Sequence, residues 1–528
     1  MRNFHIRIAP AALFLAGCAA VAWGQAPDSL EARIQKVMGR AEFARSNFGI
    51  EFYDLETGKV VYALNADKLF VPASTTKLLT EGTVLAKLGA DYRFHTNVYR
   101  TGPVDKKGTL QGNLILVASG DPNLSNRIQP DGTLGFVDED HSYNGPALPG
   151  DPLAVIKDFA AQVEAKGIRK IEGRVYIDTS LMPDGEHEGG TGVTMSSIMV
   201  NDNILDLTAK PGEKVGDPVA FGVSPQTSYF HFVNAMTTGA ADSRLMLDTT
   251  EPGVRPDGSW EITISGNVPL GSGLHTITFQ IPSPTQFATW VLREALEAKG
   301  IEIKPKKSSA IAKDYSSFQR FYTLEYQVAE HISPPLSEEI KITLKVSQNL
   351  HAGMGPYLLG LLVAKNTKDP LSAGFKIEHA FLTEAKLDLS GAAQGDGAGG
   401  DWGDLFSPDF MCHYLAYWKT RTDFPVLFGG LPILGKDGTL AKIQKDNPGA
   451  GHVFAKTGTF AAEDKLNSRL MLNGKGLAGY VQTKSGKTLA FAAYVNHVSM
   501  PADPDSAQKI AGQALGEIAA AAYDAPLP

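Results

Sequence analysis

Pro72-Ala73-Ser74-Thr75-Thr76-Lys77 opens a run in which Leu78, Leu79, Val84, Leu85 and Leu88 recur at helical spacing. The spacing predicts a helix and sets Ser74 and Lys77 three apart on one face, within reach for the amine to take a proton from the hydroxyl. A serine hydroxyl is a poor nucleophile without such a base. Unpaired N–H groups at a helix start also favour negative charge developing beside them. Alone the pair proves little: Ser506 and Lys509 repeat Ser-x-x-Lys near the C-terminus, and a solvated helix start is its ordinary reading.

Two further elements carry chemistry. Ser347-Gln348-Asn349 follows Pro334-Pro335-Leu336 and a short helical run. It supplies a second hydroxyl for relaying a proton and an amide that both donates and accepts. Ser142-Tyr143-Asn144 and Ser265-Gly266-Asn267 share the pattern and read as turns. Lys456-Thr457-Gly458-Thr459, after apolar Val453, Phe454 and Ala455, is the only Lys-Thr-Gly in the chain. A cation and a hydroxyl at a strand edge can hold a carboxylate, and Gly458 lets substrate backbone approach closely.

Outward from these elements, both ends of the chain read as regular structure. Leu30, Ile34, Val37 and Met38 lie on one helical stripe behind the N-cap candidate Ser29. Phe48, Ile50 and Phe52 alternate, Glu56-Thr57-Gly58 turns and Val60-Val61-Tyr62 returns, a hairpin pattern. A second hairpin runs from Leu477–Gln482 to Leu489–Asn496, and 505–522 reads as a closing helix. Residues 90–330 change texture to short β-like runs such as 114–118, 174–177 and 260–264, bounded by Gly, Pro, Asp and Asn, with a helix at 285–299.

Composition excludes several classes. With 43% apolar and 20% charged among 528 residues the chain is not of disordered type, and its length allows several cores. Forty-nine basic against 57 acidic residues give −8, without the electrostatic footprint of a nucleic-acid binder. Arg2 and Arg7 precede an apolar stretch, 8–23, too short to span a bilayer and interrupted by Pro10, so residues 1–24 read as a signal peptide for export to the periplasm or another extracytoplasmic space. Ala22-Trp23-Gly24 suits cleavage before Gln25, whereas Leu15-Ala16-Gly17-Cys18 resembles a lipobox that would anchor the protein at a membrane through Cys18. After cleavage at residue 24 only Cys412 remains, in an apolar helical context where a buried structural thiol is expected. Gly395, Gly397 and Gly400 satisfy Gly-x-Gly-x-x-Gly, but no clean strand precedes them and Asp396, Asp401 and Asp404 would repel phosphate, so a flexible loop is expected. Glu186, His187 and Glu188 with Asp138–His141 lack metal-motif spacing, and no metal or organic cofactor is expected.

In the order Ser-x-x-Lys, Ser-x-Asn, Lys-Thr-Gly, the three elements form the trio of penicillin-binding proteins and serine β-lactamases. The 273 residues between Ser74 and Ser347 and the 109 between Ser347 and Lys456 single out one branch. Together with 70–78, Gly120-Asp121-Pro122-Asn123-Leu124, Ser347-Gln348-Asn349-Leu350 and Leu477-Ala478-Gly479-Tyr480-Val481, they make the chain resemble the D-alanyl-D-alanine carboxypeptidase/endopeptidases of family S13 over nearly its whole mature length.

That resemblance implies an α/β (α+β) transpeptidase domain of the penicillin-binding-protein/serine β-lactamase type, an antiparallel sheet flanked by helices, with two inserted β-rich domains. The implied division is 28–88 and 320–528 for the penicillin-binding domain, 89–110 and 185–319 for inserted domain II, and 111–184 for a nested domain III. It implies Ser74 as nucleophile and Lys77 as base, with Ser347, Asn349 and Lys456 completing the catalytic set. Thr457, Gly458 and Thr459 would contact substrate, and the backbone N–H groups of Ser74 and Thr459 would form the oxyanion hole. The implied ligands are peptidoglycan stem peptides and β-lactams. Two departures stand out: Asp396-Gly397-Ala398-Gly399 where the family has Asp-Gly-Ser-Gly, and Gln348 where Asp is common. They keep a catalytically impaired peptidoglycan-binding protein open as an alternative, beside a serine β-lactamase and an esterase or D-aminopeptidase. Oligomeric state stays open too.

Overall fold

The computed structural model describes residues 29–250, 253–306, 314–365, 367–503 and 505–527; the leader, Cys18 and the start of the first expected domain lie outside them. Five strands run antiparallel in the order Val453–Asp464, Arg469–Gln482, Thr488–Asn496, Asn47–Asp54, Lys59–Leu64, and Val498–Pro501 adds to Arg469–Gln482. Side chains alternate across a strand with period two. Leu489, Phe491, Ala493 and Val495 therefore join Phe48, Ile50 and Phe52 in one core, closed by Leu30, Ile34 and Val37 of helix Leu30–Met38 and by Leu515 and Ile518 of helix Gln513–Asp524. Ala490, Ala492 and Tyr494 face the opposite way, onto Leu78 and Leu79 of helix Lys77–Leu88 and Met411, Leu415 and Trp418 of helix Pro408–Lys419. The result is a three-layer sandwich: helices cover both faces of the sheet, and Val453–Asp464 is left at one edge.

The terminal elements follow the sequence pattern. Ser29 caps its helix, its Oγ accepting from Ala32 N at 3.2 Å. The two terminal helices are joined by Arg33–Asp524 at 2.6 Å. Cys412 is fully buried, with its thiol donating to the Glu51 carbonyl at 3.6 Å.

The middle of the chain is built from segments far apart in the sequence. Strands Gln327–Ile332, His95–Arg100, Leu114–Val117 and Val175–Asp178 form one sheet in that order. It joins segments expected in the main domain, domain II and domain III through backbone pairing. Leu114–Val117 and Val175–Asp178 are parallel, a pairing that requires a crossover; helix Ala154–Ala165 lies between them in the chain. Short β-like runs predict neither the parallel pair nor that helix. Ser265-Gly266-Asn267 also corrects its reading: it lies inside strand Trp260–Pro269, paired in parallel with Phe230–Gly239, and is not a turn. Helix Pro284–Ala298 stands where its pattern placed it and packs into the same core through Phe287, Val291 and Leu292. No described helix is long and apolar enough to cross a membrane.

Candidate active site

Ser74 lies in a 3-10 turn, Ala73–Thr76, that runs directly into helix Lys77–Leu88. Three residues per turn bring positions i and i+3 into line, and Lys77 Nζ donates to Ser74 Oγ at 2.7 Å. Ala73 enters the turn at φ +47°, a left-handed conformation that costs a non-glycine residue energy and is met where surrounding contacts over-determine it. Those contacts come from two glycines. A Cβ at Gly458 would stand 2.3 Å from Pro72 O, and one at Gly399 2.1 Å from Ala73 O. The absence of a Cβ at Gly458 thus lets the serine turn pack closely against this strand.

Lys77 is fully buried and uses all three ammonium hydrogens. Besides Ser74 Oγ it donates to Asn349 Oδ1 at 2.7 Å and to Ala398 O at 2.8 Å. Burial pulls its pKa down to about 8, against an upward pull from Asp396, Glu188, Glu81 and Asp404. A neutral amine, the form that accepts a proton, is therefore accessible near neutral pH. Ser347 and Asn349 flank the start of helix Asn349–Leu358, with Ser347 at φ +65°. Lys456 Nζ donates to Ser347 Oγ and to Thr457 O, each at 2.8 Å, and Thr457 Oγ1 bonds Thr439 Oγ1 at 2.8 Å. Burial, then repulsion from Lys77 and Lys475, holds the Lys456 amine well below the usual lysine range. Ser74, Lys77, Ser347, Asn349 and Lys456 thus form two hydrogen-bonded groups. Thr459 sits at the exposed edge of the sheet, opposite Lys475.

Several participants escaped the sequence reading. The Ala398 carbonyl is the third acceptor for Lys77, a main-chain role in which the missing serine hydroxyl has no part. The loop around it is held rather than flexible: Asp396 Oδ1 accepts from Ala398 N at 2.9 Å and Gly399 N at 2.6 Å, and Asp396 Oδ2 from Gly400 N at 2.9 Å. Lys475 is a third buried amine, its Nζ donating to Thr459 Oγ1 at 2.6 Å, with its pKa drawn down to about 8 by burial. Gly474 and Gly476 flank it, where side chains would strike Val71 and Pro72; that Gly-Lys-Gly pattern was the available signal. Tyr143 belongs to a 3-10 turn, His141–Tyr143, as its Ser-x-Asn copy suggested, yet its hydroxyl donates to Ser347 O at 2.6 Å. Glu188 is spent on its own turn, accepting from Gly190 N at 2.7 Å and from Thr191. Lys509 of the second Ser-x-x-Lys pairs with Asp505 at 3.1 Å.

Comparison with known proteins bears on the chain as a whole. The model of the D-Ala-D-Ala carboxypeptidase 3 (S13) family matches residues 30–515. A D-alanyl-D-alanine carboxypeptidase of Actinomadura sp. (strain R39) is 27% identical over 478 residues, covering 86% of this chain and 78% of that protein. A penicillin-sensitive carboxypeptidase A of Dictyostelium discoideum is 24% identical over 435 residues, 78% of this chain and 76% of that one. Among solved structures, penicillin binding protein 4 of Haemophilus influenzae superposes with a TM-score of 0.68 at 20% identity, over 92% of this chain and 97% of that one, a likeness of fold.

Proposed function

The chain belongs to the D-Ala-D-Ala carboxypeptidase 3 (S13) family, serine-type hydrolases, and from that membership we propose that it cleaves D-alanyl-D-alanine bonds or peptide cross-links of peptidoglycan through an acyl-serine at Ser74. The observation that carries this reading is the Lys77 amine, 2.7 Å from both Ser74 Oγ and Asn349 Oδ1, the latter 272 positions away in the chain. In its neutral form Lys77 takes the Ser74 proton as Oγ attacks the carbonyl carbon of the penultimate residue. The oxyanion is received by the N–H groups of Ser74 and Thr459. The C–N bond then breaks, and the Ser347 hydroxyl, backed by Lys456, passes a proton to the departing amine. Water hydrolyses the ester and restores Ser74. Asn349 holds the substrate amide as well as Lys77.

The terminal carboxylate of the substrate falls to Thr457, Thr459 and the two amines Lys456 and Lys475. Both lysines are buried and neither has a carboxylate partner among the described residues, so an incoming anion brings the counter-charge that favours their protonated forms. β-Lactams, which present a strained amide and a carboxylate to the same groups, acylate Ser74 in this reading. Export to the periplasm or another extracytoplasmic space, with processing after residue 24 or lipidation at Cys18, is part of the same proposal.

The test is intact-mass analysis of the purified protein over hours with benzylpenicillin, followed by peptide mapping. One slowly decaying adduct on Ser74 is the expected result. No adduct with penicillin intact would make the chain a peptidoglycan-binding protein without turnover; penicillin consumed without an adduct would make it a β-lactamase.

A further inference from the structure

Gln348, the middle residue of the second motif, is only 1% exposed and every polar atom of its side chain is engaged. Its amide nitrogen donates to Asp140 Oδ1 and to Asp202 Oδ2, both at 3.3 Å. Its amide oxygen accepts from Leu350 N at 2.8 Å and so caps the helix that begins with Asn349. The two carboxylates belong to the inserted region, 208 and 146 residues away in the chain.

They are part of a buried ion network. Arg127 Nη2 lies 2.6 Å from Asp140 Oδ2 and 2.6 Å from Asp202 Oδ2. His141 bridges Asp202 at 2.8 Å and Asp206 at 2.9 Å. His351, on the same helix as Asn349, bridges Asp202 at 3.0 Å and Glu339 at 2.8 Å. Asp140, His141 and Asp202 gather potential metal-ligand atoms, but the guanidinium of Arg127 supplies the cation there. Asp202 is held at φ +53° between Asn201 and Asn203, both also left-handed, as expected where surrounding bonds over-determine the backbone.

The charges decide which residue fits at 348. Three cationic side chains, Arg127, His141 and His351, face four carboxylates, Asp140, Asp202, Asp206 and Glu339, and all seven are buried. A neutral amide adds no charge and brings the two N–H groups that the carboxylates accept. A carboxylate would bring a further negative charge against Asp140 and Asp202 and no donor, which a low-dielectric interior penalises heavily. The aspartate common in the family is thus the wrong residue for this chain.

We propose that Gln348 is a positioning residue for acylation: its neutral amide ties the Ser347–Asn349 segment to the ion network of the inserted region and so fixes the hydroxyl and amide on either side. The inference rests on the active-site reading above.

The test is the second-order rate of covalent benzylpenicillin labelling, with thermal unfolding recorded for each variant. Gln348→Glu keeps the shape and exchanges both N–H donors for a charge. It should label about thirtyfold more slowly than the parent, the cost of facing buried acceptors without a donor. In an Asp140→Asn background the same change should cost less than about threefold, because the amide introduced there can donate to the new carboxylate; a merely structural lesion would add rather than cancel. Gln348→Met, apolar and of similar length, should fall between parent and Gln348→Glu. Labelling of folded Gln348→Glu within about threefold of the parent overturns the proposal, as does a penalty undiminished in the Asp140→Asn background. If Gln348→Glu alone does not fold, a folded and labelling double variant supports the proposal and an unfolded one overturns it. A parent that is never labelled would sink the active-site reading instead, so the two failures are distinct.

Discussion

Two buried clusters of cations lie side by side in this protein and behave in opposite ways. Around the serine turn, Lys77, Lys456 and Lys475 face hydroxyls, an amide and carbonyls; burial dominates and all three amines are pulled down, Lys77 and Lys475 to about 8. In the inserted region and the helix it meets, His141 and His351 are equally buried but each bridges two carboxylates, and both are pushed up to about 10. Burial alone therefore does not decide a proton's fate. A buried cation given neutral acceptors becomes a group that gives up its proton near neutral pH, and one given carboxylates becomes a permanently charged strut.

The heaviest loss is expected on the amine side. Ser74→Ala should abolish covalent penicillin labelling while the thermal unfolding transition stays in place; persistent labelling in mass spectra would assign the nucleophile elsewhere. Next, Asn349→Asp converts the amine site toward the strut type by setting a carboxylate against Lys77. Its pKa should rise from about 8, and labelling at neutral pH should fall by about 10²–10³ through loss of the free base. The rate should climb only at higher pH, so a pH profile with an unmoved midpoint would undo the contrast between the clusters. Third, Asp202→Asn removes the carboxylate shared by Arg127, His141 and His351. Leaving buried charges uncompensated should cost about 3–5 kcal/mol in denaturant unfolding; a cost near zero would show the network to be dispensable.

Lys456→Ala should act more selectively, lowering turnover of carboxylate-terminated peptides by about tenfold or more, as expected for a lost charged hydrogen bond. Equal loss on a neutral ester would leave Lys456 only its part behind Ser347 and remove the carboxylate-binding role. The mildest change is in a slope. A histidine raised from 6.5 to about 10 contributes stability that is full below 6.5 and is lost as pH rises through 10, because the native state holds the proton longer than the unfolded chain. A lysine lowered from 10.5 to about 8 does the reverse, native stability rising with pH across that window. His351→Gln should therefore flatten the alkaline decline in urea midpoints, and an unchanged slope would argue that His351 is not charged in the native state.

Much of the fold was legible locally. The stripe at Leu30, Ile34 and Val37, the alternation at Phe48, Ile50 and Phe52 and the turn at 484–487 each encode an element within a few residues, and the antiparallel sheet at both termini follows from them. The inserted region was less legible because its pairing is long-range: Leu114–Val117 meets Val175–Asp178 in parallel across a helix, and residues 265–267 are turn-like in composition but paired with strands on either side.

The same divide runs through the site. Residue order alone singles out the proposed chemical kit, Ser74, Lys77, Ser347, Asn349, Lys456 and Thr457, because the proposed chemistry asks for those side-chain types whatever surrounds them. The packing of distant segments adds what no local pattern carries: a carbonyl at Ala398 completes the cradle of Lys77, Lys475 joins the amines, Gly458 serves the serine turn, and Gln348 answers two distant carboxylates. Backbone acceptors leave no mark on the sequence, and the energy of a buried charge depends on partners that segments hundreds of residues apart bring into the same low-dielectric space.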